Sequence, residues 1–198
     1  MKINKFENEE SWLEARRGRI TGTRLKDLIS KTDKKKIGYY EIIAERIALP
    51  ASEENAMDRG KRLEEYAVER FQQETGKKVN TDLVIWHRDD EENIAVSPDG
   101  SIGKTVAVEV KCLSSARHIE AWLTKRIPDE YEYQVLQYFI VNDKLKSLYF
   151  VFYDPRMPKD IFWHEVKRAD VAEKVKEYLE LEKNVLKEIE EIEQKLTF

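Results

Sequence analysis

The chain has 198 residues, 41% hydrophobic and 37% charged against roughly 25% in an ordinary soluble domain, and folding a chain of that length removes roughly 70% of its unfolded surface. No apolar run of about 18 residues occurs, the start MKINKFENEESW lacks the apolar core of a secretory signal, and the lone Cys112 excludes an internal disulfide or a cysteine-built metal site. Net charge is −4, which speaks against a protein wrapped all over in nucleic acid. The expectation is a single domain over residues 1–198, cytoplasmic and without membrane contact. Charge is unevenly spread: residues 1–40 hold 11 Lys and Arg against 6 Asp and Glu, whereas residues 170–198 hold 5 against 9. A basic start in an acidic protein suits a localised phosphate site, and two solvated helix faces of opposite sign explain it equally well.

NEESWLEARRGRITGTRLKDLIS reads as a short helix through Glu14 and Arg16, a break at Gly18, and a second helix capped by Thr21 or Thr23. The lysines of TDKKK, at 32–36, read as a solvated loop. IGYYEIIAERIAL is helical up to Pro50, and MDRGKRLEEYAVERFQQETG puts Leu63, Ala67 and Phe71 on one stripe before Gly76 ends it. The period then shortens: LVIWHR, IAVS, VAVEVKC, SLYFVFY and IFWHEV read as strands, with a helix over DEYEYQVLQYFIVND between the third and fourth. From Asp170 onwards, Val171, Val175, Tyr178, Val185, Ile189, Ile192 and Leu196 mark a long amphipathic helix. Helices, a mixed sheet crossed by one helix and a closing helix make an α/β layer arrangement.

Residues 97–112, SPDGSIGKTVAVEVKC, concentrate the chemistry. Asp99 is presented at a turn between Pro98 and Gly100, and period-2 geometry puts Glu109 and Lys111 on one strand face opposite Val108, Val110 and Cys112. Two converging carboxylates repel unless a cation lies between them, and oxygen-only ligands favour a hard ion such as Mg²⁺. A neighbouring lysine can hold a phosphate oxygen or the attacking water, which completes the parts of metal-dependent phosphodiester hydrolysis. A surface ion pair between Glu109 and Lys111, with Asp99 a mere turn residue, is the plainer reading of the triplet alone.

Flanking segments extend the pattern. Trp12, Arg16, Gly18, Ile20, Thr21 and Thr23 form one block; Gly60, Glu64 and Ala67 a second; Ser97 to Gly100 and Glu109 to Cys112 a third and a fourth. Tyr131 with Gln134 and Tyr153 to Met157 close the series. In this order the blocks resemble the phage lambda exonuclease family, the YqaJ-type viral recombinases of the PD-(D/E)XK nuclease superfamily.

The resemblance implies a restriction-endonuclease-like α/β core, a mixed central sheet flanked by helices with a long C-terminal helix, in a single nuclease domain over 1–198. It implies Asp99, Glu109 and the Val110 carbonyl as ligands of Mg²⁺, with Glu64 reaching a second ion and Mn²⁺ able to substitute. Lys111 would orient the nucleophilic water, with Gln134 and Tyr131 holding that water or the substrate backbone. Arg16, Thr21, Thr23 and Ser97 would form a pocket for a terminal 5′-phosphate, Arg117 being a further backbone contact. Arg suits bidentate phosphate capture, and hydroxyls at a helix start add donors and a favourable dipole. The implied activity is 5′-to-3′ digestion of double-stranded DNA ends, leaving 3′ overhangs, in a bacterial or phage-infected cell. A single-strand annealing protein as partner and a ring-shaped homotrimer are implied as well. Two other readings stay open: another PD-(D/E)XK enzyme, such as a resolvase, a restriction endonuclease or a CRISPR-associated nuclease with a four-cysteine cluster, and a non-catalytic binding module. One cysteine argues against the cluster, and the intact Asp99, Glu109 and Lys111 argue against the module.

Overall fold

The computed structural model describes Ser11 and residues 36–48 and 56–196. In chain order the described elements are α1 (Ile37–Ile47), α2 (Ala56–Thr75), β1 (Trp86–Arg88), β2 (Glu91–Val96), β3 (Gly100–Ile102), β4 (Val106–Lys111) and α3 (Ser115–Thr124). After them come a 3-10 turn (Asp129–Tyr131), α4 (Glu132–Val141), β5 (Ser147–Tyr153), β6 (Ile161–Lys167) and α5 (Arg168–Leu196). Strands β3 to β6 form one mixed sheet in the order β3-β4-β5-β6, and β1 and β2 form a separate antiparallel hairpin. β4 and β5 run parallel, from Val106 beside Ser147 to Lys111 beside Phe152, and the edge strands β3 and β6 are antiparallel to their neighbours. A parallel pair needs a long crossover, which α3, the 3-10 turn and α4 supply. The mixed α/β sheet with flanking helices and a long last helix is the architecture expected.

Side-chain alternation along β4 splits the core in two. Ala107 joins Leu148, Phe150 and Phe152 in packing against Leu136, Tyr138 and Phe139 of α4, with Val175 of α5 closing that layer. Val108 and Val110, with Val151 and Tyr153, pack instead on Leu63, Ala67, Val68 and Phe71 of α2. Helices therefore cover both faces of the sheet. α1 sits to one side, its Tyr40 and Ala44 meeting Ala116 and Ile119 of α3 and Met157. No helix among the described residues is long and apolar enough to cross a membrane.

Several elements differ from expectation. Of LVIWHR only Trp86–Arg88 is strand, because β2 offers partners to those residues alone, and Leu83, Val84 and Ile85 lie exposed. α3 is unforeseen: its buried positions include Ser115 and His118 beside Ala116, Ile119 and Ala121, which dilutes the apolar stripe that would reveal it. β3 spans three residues, one of them glycine, too few to show alternation. α5 starts two residues before Asp170, whose carboxylate accepts the Lys167 N–H at 3.2 Å. Gly76 ends α2 at φ +67 as its place in the sequence predicts. Gly100 has another reason than the tight bend expected of it: φ is not positive there, and a Cβ would lie 2.5 Å from Cγ1 of Val79, which the Asn80–Ser101 bridge presses against it.

Candidate active site

β4 delivers Glu109 and Lys111 to the sheet face covered by α4, and α4 answers with side chains one turn apart. Gln134 Nε2 and Lys111 Nζ each donate to Glu109 Oε1 at 2.6 Å, and the Tyr138 hydroxyl donates to Oε2. Glu109 is only 2% exposed, so its charge survives burial through three donors, one of them cationic. Burial first, then the Glu109 charge, pushes the Tyr138 phenol far above its ordinary value, so it stays a protonated donor. Its oxygen also lies 3.4 Å from the Ser97 carbonyl, linking α4 to the turn that carries Asp99. The Lys111 ammonium stands 5.2 Å over the Tyr131 ring.

Asp99 precedes β3, and its Oδ2 accepts the Val110 N–H at 2.7 Å, which ties that turn to β4 beside Glu109. Burial and the nearby Glu109 and Glu64 charges push its carboxyl up to about 7, against the opposing pull of the Val110 N–H and Lys111. Glu64 comes from α2, on the opposite side of the sheet, and lines with Asp99 and Ser97 an open cavity of about 1110 Å³. Glu65 and Glu69 line the same cavity, which makes its wall strongly acidic.

The sequence-predicted residues thus divide. Asp99, Glu109, Lys111, Gln134 and Tyr131 converge, with Glu64 across the cavity and the exposed Ser97 at its rim. Arg117 lies on α3, pairs with Glu120 at 2.7 Å and lines a different cavity with Arg126 and Glu130. Arg16, Thr21 and Thr23 lie outside the described residues, as do Trp12, Gly18 and Ile20. Sequence reading passed over Tyr138: an aromatic four residues after Gln134 looks like core, and only its place on the same helix face as Gln134 hints at a polar role.

Among the described residues no three His, Cys, Asp or Glu side chains come together closely enough to hold a metal ion, so Glu64 does not close a carboxylate cage with Asp99 and Glu109. The remaining donor set still fits a hard cation. Mg²⁺ is commonly held by one or two carboxylates, substrate oxygens and water, and Asp99, Glu109 and the Val110 carbonyl offer oxygen alone. Burial first, and then the neighbouring carboxylates, make the Asp99 charge costly, and a cation there would offset that cost.

A solved structure of the alkaline exonuclease LHK-Exo from Laribacter hongkongensis matches with TM-score 0.62 and 27% identity, covering 95% of this chain and 98% of that one. LHK-Exo in complex with dAMP matches with TM-score 0.60 and 30% identity at the same coverage. No curated protein matches the chain. The model of the YqaJ-like viral recombinase domain matches residues 11–144, a span that contains Glu64, Asp99, Glu109, Lys111 and Gln134. With the converging side chains and every flanking block except Tyr153 to Met157 inside that match, the chain belongs to the YqaJ-like viral recombinase family.

Proposed function

We propose that the protein is a Mg²⁺-dependent exonuclease that enters double-stranded DNA at its ends and removes nucleotides from the 5′-terminated strand. The chain is a nuclease that hydrolyses DNA, by its family and by its likeness to an alkaline exonuclease along nearly its whole length. The observation that carries the finer reading is the Asp99, Glu109 and Lys111 constellation, in which two carboxylates and one ammonium meet at the end of β4.

Asp99, Glu109 and the Val110 carbonyl would hold the first ion, Glu64 would serve a second, and Mn²⁺ would substitute for Mg²⁺. A cation held by these residues would supply polarisation of the phosphoryl group and activation of water at neutral pH. Lys111 Nζ, held at Glu109 Oε1 and over Tyr131, would orient that water and offset charge developing on the phosphate oxygens. Gln134 Nε2 fixes the same carboxylate oxygen, so Glu109 is preorganised from two sides. Arg16, Thr21, Thr23 and Ser97 are assigned to the terminal 5′-phosphate and Arg117 to the strand backbone, which makes hydrolysis end-dependent. The 3′ overhang left behind would feed annealing recombination with a single-strand annealing protein, and a ring-shaped homotrimer would keep DNA enclosed.

Linear and covalently closed duplexes of one sequence, incubated with Mg²⁺ or EDTA, test this reading. Digestion of the linear form alone, and only with Mg²⁺, is expected. Equal cutting of closed circles would remove the end-dependence, and digestion in EDTA would remove the metal.

A further inference from the structure

We propose that a lysine-lined hollow at the amino ends of β4 and β5 is a second DNA-binding site that grips the phosphate backbone of a strand. The choice of polyanion rests on the nuclease reading above. The hollow, about 550 Å³, is lined by Lys77, Lys144, Lys146 and Lys167, with Asp143 and Glu165 the acidic side chains among its lining residues. It lies at the Val106 end of β4, roughly 17 Å from Lys111 at a rise of about 3.3 Å per residue, so it is distinct from the acidic cavity at Asp99.

Four observations make this more than scattered surface charge. Lys144, Lys146 and Lys167 are exposed, and no ion pair joins them to an acidic side chain among the described residues. The backbone that carries them is fixed: Lys146 N donates to Thr105 O at 2.7 Å and Arg168 N to Lys146 O at 3.0 Å, pinning the loop to the sheet. Arg168, the other cation of the hollow, is committed to the backbone through Nε to Leu145 O at 2.7 Å and Nη2 to Phe139 O at 2.9 Å, which leaves the lysines to face a ligand. Lys77 is held 5.5 Å over the Tyr149 ring, itself 5.3 Å from Phe71, so the fourth ammonium is also positioned.

Like charges on a rigid concave surface repel, in a protein whose net charge is −4, and a polyanion relieves that repulsion. Lysine is a point charge on a flexible stem, suited to phosphates and poor at reading bases, so the site is independent of sequence. A strand bound here would be held while its end is processed at Asp99.

The test uses the full chain and a Lys144→Glu/Lys146→Glu/Lys167→Glu variant, with a labelled single strand and a blunt duplex of the same sequence, followed by fluorescence anisotropy in EDTA across a salt series. The variant is expected to lose about tenfold or more in affinity at low salt. Its log K against log salt slope is expected to fall by about 2 on the single strand and by about 3 on duplex if each holds the lysines, and on one only if that one is the ligand. A Lys→Gln triple variant is expected to shift affinity in the same direction by less, and hydrolysis of a short duplex at saturation is expected to stay within about twofold of wild type. Unchanged affinity and slope on both probes would overturn the site and leave the hollow to an acidic protein surface. Lysine-dependent binding by a wild-type protein that hydrolyses no DNA would sustain the site and count against the nuclease reading alone.

Discussion

Glu109 is a carboxylate 2% exposed in the core, and its neighbours decide whether it is a liability or a tool. Lys111, Gln134 and Tyr138 occupy both its oxygens, so its geometry is set before any substrate arrives. Glu109→Gln keeps the shape and removes the charge, and Lys111→Ala removes the ammonium. Each is expected to lower the hydrolysis rate about a hundredfold or more while far-UV circular dichroism stays unchanged. Wild-type rates from both would remove these residues from the chemistry. Tyr138→Phe leaves a buried acceptor one donor short and is expected to cost about 1–3 kcal/mol in urea unfolding. Asp99 supplies a pH signature. Its folded value of about 7 lies above the ordinary 3.8, so the metal-free protein holds a proton that the unfolded chain releases, and this contribution to stability fades as pH rises through that window. In EDTA, Asp99→Asn is expected to melt level with wild type at acid pH and above it at alkaline pH, and parallel melting curves would contradict the raised value. Glu109 and Lys111 were legible because strand alternation puts them on one face, and Asp99 joined them through the flanking blocks that surround the triplet. Tyr138 was not, because its hydroxyl gains a partner only when α4 crosses β4.

At the scale of elements, the segment Tyr153 to Met157 anchors α3 beside the end of β4. Asp154 is fully buried and accepts the Ser115 hydroxyl at 2.5 Å and the Arg156 guanidinium at 2.9 Å through both Nε and Nη2. Burial works against its charge, but the Arg156 and Ser115 hydrogen bonds outweigh it and hold the carboxyl below its ordinary range. Ser115 is the first residue of α3, four positions after Lys111, so this clamp fixes the exit of the strand that carries the site. His118 Nε2 meets the Lys159 carbonyl at 2.9 Å and fastens the same helix a second time. Asp154→Ala leaves the buried Ser115 hydroxyl and the half-buried Arg156 guanidinium without their acceptor and is expected to destabilise by about 1–3 kcal/mol in urea unfolding. A change within experimental error would mean that α3 is held by its apolar face alone. Sequence reading took this block as a structural turn and missed the helix it anchors, since a ten-residue helix with Ser and His among its buried positions shows no clean apolar period.

For the whole molecule, the sheet separates two kinds of surface. Carboxylates gather around Asp99 at one end of β4 and lysines around Lys146 at the other, and neither concentration is visible in a net charge of −4. The layer order was legible because long periodic segments such as α2, α4 and β5 are apolar on the faces that meet. The proposed 5′-phosphate pocket draws on segments far apart in the chain, so spacing does not join its residues, and Arg16, Thr21 and Thr23 lie outside the described residues. The proposed function has the β4 constellation degrade DNA from 5′ ends. Duplexes labelled at the 3′ or the 5′ end of one strand, with a 5′-phosphate or a 5′-hydroxyl terminus, test it when digested with Mg²⁺ by wild type and by Asp99→Ala. The predicted result is early release of the 5′ label and shortening of the 3′-labelled strand that runs faster from a 5′-phosphate than from a 5′-hydroxyl, with neither in Asp99→Ala. Early release of the 3′ label, or digestion that persists in Asp99→Ala, would contradict it.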